Sequence, residues 1–165
     1  MSMSKGQSLW RSLTMAGVVA GMTAIGGGAA FAGECPAGKM VPDGQGQKDA
    51  GLAAKDVTDT VLASTDLSKE MVALSDHLFR LRQLVIKPGG VVPWHSHGDR
   101  PAMIYVVSGE VTEYVSTCAV PILHKVGDVA PETHTTSHWW KNTGKKTAVL
   151  ISVDILHDKM DEHMM

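Results

Sequence analysis

The chain has 165 residues, 44% hydrophobic and 19% charged, with a formal charge of −2. That is room for one domain of ordinary size, and the composition excludes a disordered tail. No cluster of Lys and Arg offers a phosphate-binding face, so nucleic acid is excluded as a partner.

In chain order, residues 1–32 read as a secretory signal peptide. Lys5 and Arg11 give a positive start, "SLTMAGVVAGMTAIGGGAA" follows as an apolar stretch, and Ala30 to Ala32 form the small-x-small pattern of a cleavage site. The mature protein is then expected in the periplasm or outside the cell, with no stable membrane insertion once the signal is cut. Residues 33–57 are rich in Gly, Lys, Asp and Gln without periodicity, an irregular lead-in. Cys35 and Cys118 are the two cysteines, and in an oxidising compartment they are expected to bridge. A loop of roughly eighty residues closed in this way contributes on the order of 4 kcal/mol in the chain-entropy model.

From residue 58 to 156 the chain is a run of short, β-rich segments. "VTDTVLAST" alternates, and "HLFRLRQLVI" puts Leu78, Arg80, Arg82 and Leu84 on one side and Phe79, Leu81, Gln83 and Val85 on the other. "KPGG" is expected to turn the chain. "VVPWHSH", "MIYVVSGEVTEYVS", "VPILHKVGDVAP" and "HWWKNTGKKTAVLISVDIL" follow, separated by Gly, Pro or Asp, and no long stretch has a 3.6-residue period. Such spacing predicts an all-β barrel or sandwich.

Two histidines one residue apart, His95 and His97, project to one face of a strand, close enough to share a cation. A second segment adds His138, with Asn142 four residues on. Asn142 is expected to secure a turn or strand end through its amide. Of the tryptophans, Trp94 alternates away from His95, while one of Trp139 and Trp140 must share the side of His138.

These residues resemble the two motifs of the cupins. Gly89, His95, His97 and Gly109 fall on the first motif, and Gly127, His138 and Asn142 on the second. The resemblance covers roughly residues 60 to 155. It implies a single-domain cupin double-stranded β-helix, a jelly-roll barrel, holding one divalent transition metal ion (Fe, Zn, Cu, Ni or Mn) on His95, His97 and His138, and it implies a possible homodimer. Imidazole donors do not choose among these metals. The motif's glutamate position is occupied by Ala102, and Thr133 and Thr135 replace the Pro and Gly of the second motif. Three arrangements stay open: three histidines alone, as in the thiol dioxygenases the site then resembles; a fourth protein ligand, with Glu132, His134 or Asp99 in reach; or no metal.

Three neutral imidazoles leave the charge of a divalent ion uncancelled, which favours a small anionic ligand. Arg100, next to the histidine turn, is the candidate to meet a second acidic group. Candidate acids or bases are Tyr105, Glu132 and His134. The expectation is a metalloenzyme of oxygenase or isomerase type acting on a small anionic molecule. The alternatives are a non-catalytic ligand-binding cupin or a copper- or zinc-handling protein. Residues 157–165, "HDKMDEHMM", form a Met- and His-containing tail that suits copper capture through soft thioether sulfur or is simply a flexible end.

Overall fold

The structure is a computed structural model and describes residues 33–157; the expected signal peptide and all but the first residue of the tail lie outside the described residues. The described residues are all-β apart from one short 3-10 turn, Leu67–Lys69. Its strands are β1 (Lys55–Asp66), β2 (His77–Ser96), β3 (Ala102–Ser108), β4 (Glu110–Val115), β5 (Ile122–Lys125), β6 (Val129–Glu132), β7 (Ser137–Lys141) and β8 (Ala148–His157). Seven of them form one antiparallel sheet in the order β5-β4-β7-β2-β8-β3-β6, and β1 pairs with β2. The strands at the two ends of that order, β5 and β6, are consecutive in sequence and joined by a turn containing Gly127 at φ +93°. The sheet therefore curls into a nearly closed barrel, the jelly roll expected from the sequence.

The segment "KPGG" bends the chain without ending its strand. β2 pairs with β8 through residues 77–86 and with β7 from Val91 onward. At the bend Gly89 has φ +78°, and a Cβ at Gly90 would lie 2.8 Å from Asp56 O. Asn142 secures the bend from β7: its Nδ2 donates to Ile86 O and to Lys146 O, each at 2.8 Å.

The core follows the two-residue alternation. Leu84, Ile86, Val92, Ile104, Val106, Val111, Trp140 and Leu150 form its main cluster. At the start of β2 the alternation has an unusual result. The inward residues are Arg80 and Arg82, while Phe79 and Leu81 face outward at 47% and 37% exposure. The arginines are compensated across the sheet. Arg80 binds Asp154 on β8 through two hydrogen bonds of 2.9 and 2.7 Å, and Arg82 pairs with Asp59 on β1 and with Asp154 at 3.1 Å.

The lead-in is irregular but fastened. Cys35 and Cys118 are bridged, with Cα atoms 5.8 Å apart. Val41 N donates to Thr117 O at 2.9 Å, and Gly46 N to Ser116 O at 2.8 Å. The polar segment is thus laid as a strap along residues 115–119.

Candidate metal centre

His95 lies near the end of β2, His97 just beyond it, and His138 on β7 directly opposite His95. Residues opposite one another on neighbouring strands send their side chains to the same face, so the pairing brings the two motif segments together. The Nε2 atom of His138 is 3.1 Å from that of His97 and 3.1 Å from that of His95. His97 and His138 are buried and His95 is half-buried.

The other ring nitrogen of each histidine fixes the chemistry. His95 Nδ1 donates to Pro93 O at 2.9 Å, His97 Nδ1 to Arg100 O at 2.7 Å, and His138 Nδ1 to Glu113 Oε1 at 2.6 Å. A carbonyl or carboxylate oxygen only accepts, so in each neutral ring the proton sits on Nδ1 and the Nε2 lone pair points at the common centre. Three lone pairs at that spacing repel unless a proton or a metal ion lies between them. Metal-binding histidines use this same outward N–H anchoring. Two donors about 2.1 Å from one ion at right angles lie about 3.0 Å apart, so the observed separations fit a transition metal.

An acid does stand beside them. Glu132, at the end of β6, places Oε2 3.1 Å from His97 Nε2 and Oε1 3.2 Å from His138 Nε2. The register explains its presence: Ala102 on β3 pairs with Glu132. The carboxylate missing from position 102 is supplied by the residue facing it across the ladder. Of the arrangements the sequence left open, this geometry favours the one with Glu132 in reach.

Burial sets the protonation. Desolvation pushes the Glu132 carboxyl up to about 7, against the attraction of His138. It lowers His95 to about 2 and His97 to about 3, helped by the neighbouring charge of His138, so both rings are neutral donors at physiological pH. His138 moves the other way. Although its burial opposes charge, Glu132 and the Glu113 hydrogen bond raise it.

Glu113 and His124 escaped the sequence reading. Glu113, on β4, accepts from His138 Nδ1 and, at 2.9 Å, from His124 Nε2 on β5. Burial alone would raise its carboxyl, but the two histidine hydrogen bonds hold it down at about 2. His124 Nδ1 has no hydrogen-bond partner among the described residues and lies next to Gly33 of the strap. The available signal was alternation in "EVTEYV" and "ILHK": Glu113 and His124 each sit on an inward face.

Other candidates fall elsewhere. Tyr105 is 46% exposed on the outer face of β3, because its neighbours Ile104 and Val106 take the core face. His134 and Asp99 are exposed in turns. Arg100 is buried, with Nη1 3.8 Å from Asp154, so it is neither a surface charge nor directed outward. Of the tryptophans, Trp140 shares the side of His138, with ring centroids 5.4 Å apart, whereas Trp139 stacks on Tyr114 at 3.8 Å.

Residues 82–154 match the family model for the cupin domain. With the barrel, this match supports a cupin domain over those residues. No curated protein matches it in sequence. Solved structures that it is similar to include the CENP-C cupin domain of Drosophila melanogaster, at 19% identity over 47% of this chain and 63% of that one, with TM-score 0.42. A cupin domain of an XRE-family transcriptional regulator from Enterobacter cloacae matches at 12% identity over 61% of this chain and 96% of its own, with TM-score 0.48. A recombinant oxalate oxidase in complex with glycolate matches at 17% identity over 60% and 50%, with TM-score 0.47. The chain spans less than two thirds of the fly protein's length and half of the oxidase's.

Proposed function

We propose that the chain is an exported metallo-cupin in which His95, His97, His138 and Glu132 hold one divalent transition metal ion, and that it is an enzyme of oxygenase or isomerase type acting on a small anionic molecule. The observation that carries this reading is the anchoring of three Nδ1–H groups, which leaves three Nε2 lone pairs and one carboxylate converging. A bound ion supplies Lewis acidity at this centre. One carboxylate cancels half the charge of a divalent ion, so an anion remains the favoured ligand.

The chain's own residues do the rest. Pro93 O, Arg100 O and Glu113 hold the rings in their donor orientation, and half-buried His95 marks the side reached by solvent. A cavity of about 520 Å³ between the strap, Glu113 and the turn at Thr133 is of a size that accepts small organic molecules. None of the four donors lines it; its link to the centre is Glu113, which accepts from His138 Nδ1. Export is supported by the Cys35–Cys118 bridge. No helix among the described residues is long and apolar enough to cross a membrane. The outward faces of β2 and β3 expose Phe79, Leu81, Met103 and Val107, an apolar surface that supports a homodimer; light scattering at micromolar concentration tests it.

Elemental analysis of protein purified from its native compartment tests the centre. One equivalent of a transition metal is expected, and His95→Ala and His138→Ala are each expected to lose it. Unchanged metal content in both variants overturns the assignment.

A further inference from the structure

The metal centre also faces inward. Between it and the core lies a cavity of about 20 Å³, lined by His95, Glu132 and Arg82 together with Val92, Ile104 and Leu150. This is room for a water or a few bonded atoms, far below the size of an organic acid. Its walls are otherwise members of the main hydrophobic cluster.

Arg82 is the exception in that wall. It is 4% exposed; its Nη1 is taken by Asp59 and its Nη2 by Asp154 and Ser152. Its Nε is buried and has no hydrogen-bond partner among the described residues. A buried N–H left unmade costs about 1–3 kcal/mol, and at a cavity shared with two metal donors a ligand can satisfy it. The guanidinium charge is already balanced by two aspartates, so what this atom offers is a fixed, directional donor.

We propose that this inner cavity binds a small anion of one to three non-hydrogen atoms, of the size of hydroxide, superoxide or azide, held between the metal ion and the Nε–H of Arg82. The inference rests on the metal reading above and deepens it by dividing the ion's open positions. Organic molecules are too large for the core side, and only a very small anion reaches it. Arg82, rather than Arg100, is then the arginine that meets a ligand.

The test uses the full chain loaded with cobalt(II), whose visible spectrum reports coordination, titrated with azide at fixed pH. Saturable azide binding is expected, with acetate failing to compete. Val92→Ile puts one more methyl into the cavity and is expected to weaken azide at least tenfold while cobalt stoichiometry holds. Arg82→Lys keeps the charge facing Asp59 and Asp154 but removes the Nε donor, and is expected to weaken azide about tenfold. Parent-like azide affinity in both variants overturns the inference, as does effective competition by acetate. A parent chain that takes up no cobalt overturns the metal reading and this inference with it; a parent that takes up cobalt with a spectrum indifferent to azide overturns this inference alone.

Discussion

Two polar clusters are buried in the same barrel, and they differ in what they lack. Around Asp154, donors meet acceptors: Arg80, Arg82 and, at 3.8 Å, Arg100 face Asp154 and Asp59, so opposite charges are paired within the protein. Around His138, acceptors meet acceptors: three Nε2 lone pairs and the Glu132 carboxylate converge with only Trp140 Nε1, at 3.4 Å, as a nearby donor. The first cluster pairs opposite charges as folded, leaving Arg82 Nε and Asp59 Oδ1 without a hydrogen-bond partner among the described residues. The second would be completed by a cation, and the contrast is that between an ion-pair network and a candidate binding site.

The sharpest way to break the comparison is to unbalance the closed cluster. Arg80→Ala leaves Asp154 with less compensation in the interior and is expected to cost about 3–5 kcal/mol in chemical denaturation, with metal stoichiometry unchanged in the folded fraction. Next comes the open cluster. Glu132→Ala is expected to weaken metal binding by roughly a hundredfold or more, about 2.7 kcal/mol, with little loss of stability in the metal-free protein. Because Ala102 faces Glu132 across the ladder, the double variant Ala102→Glu/Glu132→Ala is expected to recover most of that affinity in a competitive chelator titration. Failure of the swap would mean that the acid acts from β6 for some reason other than reach.

A smaller effect is expected one bond further out. Glu113→Gln still accepts from one histidine but no longer bears the charge that steadies His138, and a tenfold to hundredfold loss of metal affinity should follow. The smallest effect concerns acidity. The Glu132 carboxyl sits at about 7, above its ordinary 4.5, so between those values the folded, metal-free protein holds a proton that the unfolded chain has released. Stability from this group is present below about pH 4.5 and is lost as pH rises through about 7. Glu132→Gln is therefore expected to raise the melting temperature of metal-free protein by a few degrees at pH 8 and by almost nothing at pH 4.5, read by calorimetry.

The barrel and the three histidines were legible in the sequence because both depend on short-range pattern: strand alternation, glycine spacing and the His-x-His pair. The disulfide was legible because the sequence contains only two cysteines. Glu132 was visible as a candidate but not as a neighbour of the histidines, since its place follows from a ladder between β3 and β6, whose register no local pattern prints. Glu113 was hidden for the same reason, lying 25 residues from the histidine it binds. In "HLFRLRQLVI" the sequence left open which face turns inward. Its arginines occupy the interior because Asp154 and Asp59 arrive from β8 and β1, and partners from other strands override the hydrophobic preference of a single segment.

Moving the acid from β3 to β6 changes what an ion would do mechanically. β3 is flanked on both sides, by β8 and β6, whereas β6 is the last strand in the sheet order, held in the ladder by β3 alone. An ion gripped by His138 on β7 and Glu132 on β6 would act as a hasp across the barrel mouth, tying the loosest margin of the sheet to its middle. Occupancy of the centre and closure of that margin would then be one event seen from two sides.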